Sequence, residues 1–182
     1  MENYVKILSK ESFEFLFKPL ISELGKCNWL ALSDSFEFPL AWLDIGYDEE
    51  TDDYLSGPIY DFEKECPRIE ERSRDCTSVY GYHLKPGMLE RYAAGVSDDW
   101  STLMATTGSV EDALAWLKGF YSSRDRVTFV ESRVVVYIES VDGAYWQAYV
   151  RNSELRTKLL HHLSSVKKAV ITEIPWPDGF IL

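Results

Sequence analysis

The 182-residue chain has few cysteines, no long hydrophobic run and a shortage of positive charge. Its three cysteines are an odd number without metal-type spacing, so a reducing compartment explains them more simply than a disulfide framework, although a Cys66–Cys76 bridge stays open. Apolar stretches such as residues 134–138 fall far short of the ~20 residues that cross a bilayer, and the N-terminus lacks the regions of a signal peptide. We therefore expect a cytoplasmic protein that does not enter a membrane.

Basic residues are outnumbered, with 19 Lys and Arg against 30 Asp and Glu, and the formal net charge is -11. A protein of this charge is repelled by the phosphates of nucleic acids and by anionic membrane surfaces. Its charge instead favours association with a basic protein. The composition therefore predicts a basic protein partner and disfavours nucleic acid and membrane as ligands.

Cofactor and metal motifs are missing as well. Neither GxxxxGK[ST] nor GxGxxG occurs among the ten glycines, which excludes nucleotide binding through those motifs. His161 and His162 are adjacent on a predicted helix, where neighbouring side chains point about 100 degrees apart and cannot chelate one metal together. His83 with Cys66 or Cys76 would need a further ligand. We expect no cofactor and no metal site.

Candidate catalytic groups are few. Asp98 and Asp99 beside Trp100 are paired carboxylates of the kind that glycosidases use, but neighbouring side chains diverge, and capping of a helix is the favoured interpretation of the pair. A cysteine nucleophile with a histidine base has no local support in the sequence. The sequence therefore predicts no catalytic residue.

The pattern of apolar residues predicts a mixed fold. Helices are predicted at residues 9–26, 86–94, 109–121 and 153–165, and strands at 5–8, 29–32, 40–45, 79–84, 127–131, 133–140, 144–151 and 169–174, with 97–107 ambiguous. Pro19 should kink or split the first helix, and Asp142-Gly143 predicts a tight hairpin because both turn positions favour positive φ. Antiparallel hairpins with inserted helices predict a single α+β domain, mainly an antiparallel sheet with helices packed on it.

An acidic block interrupts this pattern. Residues 48–65, which we call the acidic segment, contain eight acidic residues and one lysine, and so hold -7 of the net charge of -11. Blocks of like charge usually form solvated loops or interaction segments. Aromatic residues lie among the carboxylates, and tyrosine is enriched at interface hot spots while negative charge steers a basic partner into contact. The sequence therefore predicts a loop or interaction segment here.

Two other interpretations of the acidic segment stay open. It could be a solvated loop whose tyrosines anchor it to the core. It could also be a calcium loop, because Asp48, Glu50 and Asp52 alternate as EF-hand ligands do, but the glycine and the final glutamate of that loop are missing.

Aromatic residues are abundant, with six tryptophans and eleven tyrosines. Trp100, Trp146 and Trp176 are candidates for surface use. Tyr145 and Trp146 lie in one predicted strand, where successive side chains alternate between faces, so we expect one of the two sets to face away from the core.

The acidic segment and the hairpin-plus-helix sequence VVVYIESVDGAYWQAYVRNSELRTKLLHHL resemble the immunity proteins that bacteria pair with polymorphic or contact-dependent toxins. Those proteins are small, acidic and aromatic-rich, with an α+β fold and no catalytic motif. The resemblance implies a toxin inhibitor that binds a basic toxin, often a nuclease, by mimicking phosphate charge or by occluding its site. The expected contact residues are Asp48, Glu49, Glu50, Asp52, Asp53, Tyr54 and Tyr60, followed by Trp100, Tyr145 and Trp146.

Two further functions remain as alternatives. One is a small enzyme or ligand-binding module with an aromatic-lined pocket, whose polar groups would be Asp98, Asp99, His83 or a cysteine. The other is a subunit of a larger assembly that docks through its C-terminal residues, Trp176 and 180–182.

Overall fold

The fold is that of a computed structural model, which describes residues 3–32, 47–48, 53–54, 62, 64–72, 78–98, 101–113 and 123–176. The strands are β1 (Asn3–Leu8), β2 (Trp29–Leu32), β3 (Tyr47–Asp48), β4 (Asp53–Tyr54), β5 (Arg68–Arg72), β6 (Ser78–Leu84), β7 (Thr102–Thr106), β8 (Val134–Val141), β9 (Tyr145–Val150) and β10 (Val170–Pro175). The helices are α1 (Phe13–Leu16), α2 (Lys18–Glu23), α3 (Met88–Tyr92), α4 (Ser123–Arg133) and α5 (Ser153–Ser164), with a short 3-10 turn at Ala93–Gly95 and a helical turn at 110–113.

Eight strands form one sheet in the order β10-β1-β9-β8-β7-β2-β6-β5, and every neighbouring pair is antiparallel. β3 and β4 pair with each other in a separate two-stranded ribbon. An antiparallel sheet with helices packed on it confirms the α+β class predicted from the sequence. None of the helices within the described ranges is long and apolar enough to span a membrane.

The sheet is the middle layer of the described fold. On its first face it packs against α1, α2, α3 and α5 through one hydrophobic core, and on its second face against α4 and the turn at 110–113 through another. Strand β9 contributes to both, with Trp146 and Ala148 in the first core and Tyr149 in the second. The expectation that one set of β9 side chains faces away from the core is wrong, because helices cover both faces.

The first helix is divided as Pro19 predicts. Ser12 caps α1, its hydroxyl accepting a hydrogen bond from the backbone N–H of Phe15 (3.4 Å). A new helix, α2, begins at Lys18 and places Pro19 in its first turn, where the missing N–H has no partner to lose. The first helical residue of this region is Phe13 of α1, not residue 9 as the sequence predicted.

The C-terminal half follows its sequence signals closely. Asp142 and Gly143 join β8 to β9 with φ of 52° and 62°, which confirms the predicted hairpin turn. Asn152 caps α5, its side-chain oxygen accepting from the N–H of Leu155 (3.0 Å). Leu155, Leu159 and Leu163 then bury one face of that helix against the sheet.

One predicted strand is wrong. Residues 127–131 belong to helix α4, not to a strand, even though β-branched and aromatic residues favour a strand locally. Val130 is buried and Val127 is half-buried on the second face of the sheet. Val127 and Val130 are three residues apart, so a helix turns both side chains toward the sheet, and this packing overrides the local strand propensity.

Two predictions in the middle of the chain are only partly described. The strand expected at 40–45 lies outside the described residues. Of the helix expected at 109–121 only 109–113 are described, with helix at 110–113. The hydroxyl of Ser109 accepts from the N–H of Asp112 (3.0 Å), as the predicted cap requires. The ambiguous residues 97–107 contain strand β7.

Candidate functional site

The start of the acidic segment lies in the ribbon formed by β3 and β4. Asp48 pairs with Asp53, and Tyr47 pairs with Tyr54. The register thus sets two acidic positions directly opposite each other, an arrangement that disfavours strand pairing. Of the other predicted contact residues, Glu49, Glu50, Asp52, Tyr60 and Trp100 lie outside the described part of the chain.

The end of the acidic segment is built into the core on the first face. Phe62 is buried, and its ring packs edge-on against the rings of Tyr82 and Tyr92 at centroid distances of 4.9 and 5.1 Å. The backbone N–H of Cys66 donates to the carbonyl of Phe62 (2.7 Å), and Cys66 is itself fully buried. The segment is therefore attached to the folded domain by apolar packing at this end.

Glu65 adds a polar attachment beside this packing. Its carboxylate accepts hydrogen bonds from the guanidinium of Arg91 at 2.7 and 2.6 Å and from the hydroxyl of Tyr92 at 2.8 Å. The hydrogen bond from Tyr92, together with the hydrogen bond and charge of Arg91, holds the pKa of Glu65 below its ordinary value. Burial, and then the hydrogen bond to Glu65, raises the pKa of Tyr92. The result is an ionised carboxylate and a neutral phenol that fix the acidic segment to α3.

Cys66 is unsuited to catalysis. Cys27 and Cys66 are both free thiols in this structure, and Cys76, the other member of the bridge left open by the sequence, lies outside the described residues. Burial raises the pKa of Cys66 to about 12, which keeps the thiol protonated at neutral pH. The thiolate, not the thiol, is the nucleophile, so a protonated Cys66 is unsuited to catalysis and packs as a core residue.

His83 is directed away from Cys66. Its Nε2 lies 2.9 Å from the amide oxygen of Asn28, and its Nδ1 lies 3.9 Å from the carboxylate of Glu111, beside the helical turn that covers the second face. Cys66 belongs to the core on the first face. Cys66 and His83 are therefore not brought together, and Cys76 lies outside the described residues. Among the described residues no group of three or more His, Cys, Asp or Glu is arranged to hold a metal.

Of the predicted aromatic contacts that the structure describes, one is half-buried and one is buried. Tyr145 is half-buried, with the ammonium of Lys6 lying 3.6 Å from the centroid of its ring. Trp146 is only 2% exposed and packs against Phe13 and Phe17, at centroid distances of 5.5 Å to each. The surface use expected for Trp146 is thus wrong, because its side chain points into the first core.

Trp176 is likewise buried. Its indole N–H donates to the carboxylate of Glu131 (2.9 Å), and its ring lies 4.4 Å from that of Tyr149. The surface use expected for Trp176 is therefore wrong as well. Residues 180–182 of the supposed docking tail lie outside the described residues.

A groove on the surface was not anticipated from the sequence. It has a volume of about 440 Å³ and lies where α1 and α2 meet α3. We call it the α1–α3 groove, and its described lining residues are Ser12, Glu14, Phe15, Lys18, Ile21, Ser22 and Glu90. Phe15 is 44% exposed, although Phe13 and Leu16 of the same helix are buried. One sequence signal indicates the exposure of Phe15: it lies outside the apolar face that Phe13, Leu16, Leu20 and Leu24 form at spacings of three and four.

Comparison with protein families, with curated protein sequences and with solved structures finds no match to this chain. Function must therefore be inferred from the charge, burial and contacts of its own residues.

Proposed function

We propose that this chain is a non-catalytic acidic binding protein that neutralises a basic protein partner, in the manner of an immunity protein that inhibits a toxin. The observation that supports the proposal is the attachment of the acidic segment to the domain. Phe62 and Cys66 hold its end by burial, and Glu65 holds it by hydrogen bonds to Arg91 and Tyr92.

Attachment of the acidic segment to the domain favours binding because it lowers the conformational entropy that is lost on association. Ordering a loose segment at an interface opposes association, and a segment already held at a defined place loses less conformational freedom. A net charge of -7 within one segment also produces a local negative potential that attracts a basic surface from a distance. A block of acids that is attached to the domain at one end therefore suits association with a basic protein.

We propose the acidic and tyrosine positions of this segment as the centre of the contact surface. They are Asp48, Glu49, Glu50, Asp52, Asp53, Tyr54 and Tyr60. Trp100 and Tyr145 form a second group, from which Trp146 is removed because its side chain is buried. A standard interface of about 1,600 Å² uses roughly 20–30 residues a side, so these residues supply part of it.

The test is capture of the partner followed by measurement of its activity. The protein would be immobilised and exposed to lysate of its source organism at low salt and at about 0.5 M salt, where screening shortens the reach of charges to a few Å. We expect to capture one basic protein whose binding is weakened by high salt. That protein should arrest growth when it is expressed alone, and co-expression of this chain should neutralise it.

Variants connect the captured protein to the acidic segment. Replacing Asp52→Asn and Asp53→Asn together should slow association and flatten its dependence on salt, because steering depends on the removed charges. The matched control, Glu11→Gln with Glu173→Gln, removes the same charge from exposed positions outside the segment. Recovery of no basic protein at either salt, or equal slowing by both double variants, would contradict the proposal.

A further inference from the structure

We propose that the α1–α3 groove is a socket for one cationic side chain, an arginine or a lysine, of the basic partner. This inference deepens the proposed function and rests on it for the identity of the partner as a basic protein. It adds a second point of recognition, supplied by α1, α2 and α3 and not by the acidic segment.

The first argument for a cationic ligand is the charge of the groove. Glu14 from α1 and Glu90 from α3 both line it, and both side chains are exposed. Neither forms a hydrogen bond or an ion pair with any residue that the structure describes. With Lys18 as the single cation among the described lining residues, the lining has a net charge of -1.

Neighbouring carboxylates behave differently. Glu65 is already bound to Arg91 at 2.6 Å, and Glu23 at the end of α2 is bound to Lys158 at 2.7 Å. The fold therefore supplies basic partners for acids on either side of the groove while leaving Glu14 and Glu90 without one among the described residues. Two such carboxylates at one cavity complement a positive charge that comes from outside the described chain.

Phe15 carries the second step. Its ring is 44% exposed and lies at a centroid distance of 5.6 Å from the ring of His162. The Nε2 of His162 donates to the backbone oxygen of Phe15 (2.7 Å), which connects the backbone of α1 to α5 at this residue. A cation placed over an aromatic ring is attracted to its face, so the exposed ring of Phe15 is a second feature of the groove that favours a cationic ligand.

The size of the groove and its apolar portion carry the third step. Ile21 is 5% exposed and lines the groove together with the charged residues. Arginine and lysine combine a charged end with an apolar stem that packs along such surface. A volume of about 440 Å³ accommodates one side chain of this kind. The occupant that matches both the charge and the apolar part is therefore a basic side chain.

The test is an NMR titration of the full chain with N-acetylarginine amide, which presents one guanidinium without the rest of a partner. We expect saturable shifts of the Phe15 ring and of amides in α1 and α3, with a dissociation constant on the order of a millimolar. N-acetylcitrulline amide has nearly the same shape and no charge, and it should produce no saturable shift at these positions.

Charge variants predict effects of opposite sign. Glu14→Gln and Glu90→Gln should each weaken binding of the arginine amide roughly two- to fivefold, as expected for exposed charge pairs. Lys18→Gln should strengthen binding by a similar factor because it removes the repelling cation. Glu173→Gln, which removes an exposed carboxylate from β10, is the matched control and should have no effect.

Three outcomes would overturn the socket: no saturable shift in the groove, an equal response to the citrulline amide, or a response to Glu173→Gln equal to that of the groove variants. The proposed function fails separately. A captured basic protein whose affinity is unchanged by Glu14→Gln and Glu90→Gln would overturn the socket and leave the proposed function standing. Binding of the arginine amide with no basic protein captured would support a cation site and contradict the proposed function.

Discussion

Glu65 is at once a member of the acidic segment and the residue that attaches it. Its carboxylate accepts hydrogen bonds from Tyr92 and Arg91, which lower its pKa from the ordinary 4.5. An acid with a lowered pKa in the folded state stabilises that state above its unfolded pKa, and the contribution is lost as the pH falls through the folded pKa. The stabilisation by Glu65 is therefore fully present at neutral pH and disappears in acid below about 4.5.

We predict that Glu65→Gln lowers the free energy of unfolding at pH 7, and that the difference from the natural sequence shrinks as the pH falls below about 4.5. Urea unfolding over a series of pH values would measure it, with Glu173→Gln as the exposed control. A difference that stays constant from pH 7 to acid would show that ionisation of Glu65 does not stabilise the fold.

Cys66 gives a second prediction for a single residue. Burial raises the pKa of its thiol to about 12, so at pH 8 far less of it is thiolate in the folded than in the unfolded chain. Alkylation of Cys66 by iodoacetamide, followed by peptide mass spectrometry, should be much slower in the native protein than in denaturant. Cys27 is half-buried and should react readily in the same sample. Rapid native labelling of Cys66 would contradict its burial.

At the scale of elements, the sequence predicted those helix and turn boundaries that are set by a proline, a turn pair or a capping side chain. Pro19 divides the first helix, Asp142 and Gly143 form the hairpin turn, and Asn152 caps α5. Helix α4 was predicted wrongly in part, as a strand at 127–131, because strand propensity there competes with a helical spacing. Val127 and Val130 are three residues apart, and they belong to a core that also contains Tyr4, Leu30 and Met104, from strands distant in the sequence.

The β8–β9 turn allows a matched test of one such signal. Gly143 has a φ of 62°, where a side chain is strained, so Gly143→Ala should cost about 1 kcal/mol in the free energy of unfolding. Gly108 has no positive φ and open space where a Cβ would stand, so Gly108→Ala should be neutral or slightly stabilising. Equal effects of the two substitutions in denaturant unfolding would contradict the turn geometry.

At the scale of the whole molecule, the sequence located the acidic segment but not what surrounds it. Alternation along β9 could not reveal that both faces of the sheet are covered, and Trp146 was therefore expected at the surface. The α1–α3 groove joins Glu14 to Glu90, residues of separate helices that only the tertiary fold brings to one cavity. Periodicity predicts which side of an element is apolar, whereas the neighbours of that side depend on strand order and helix packing.

The distribution of charge over the molecule gives the last prediction. Of the net charge of -11, -7 lies in the acidic segment, and the ribbon register sets Asp48 opposite Asp53. Opposed like charges destabilise a strand pair, so these two acids should oppose folding.

We therefore predict that Asp48→Asn with Asp53→Asn raises the melting temperature by a few degrees, as expected for roughly 1 kcal/mol, and makes it less sensitive to added salt. Thermal unfolding at low and at about 0.5 M salt would measure both effects. Glu11→Gln with Glu173→Gln removes the same charge from exposed positions elsewhere and should raise the melting temperature less. A lower melting temperature for the Asp48 and Asp53 variant would mean that these carboxylates stabilise the fold, and their charge would then be explained without a partner.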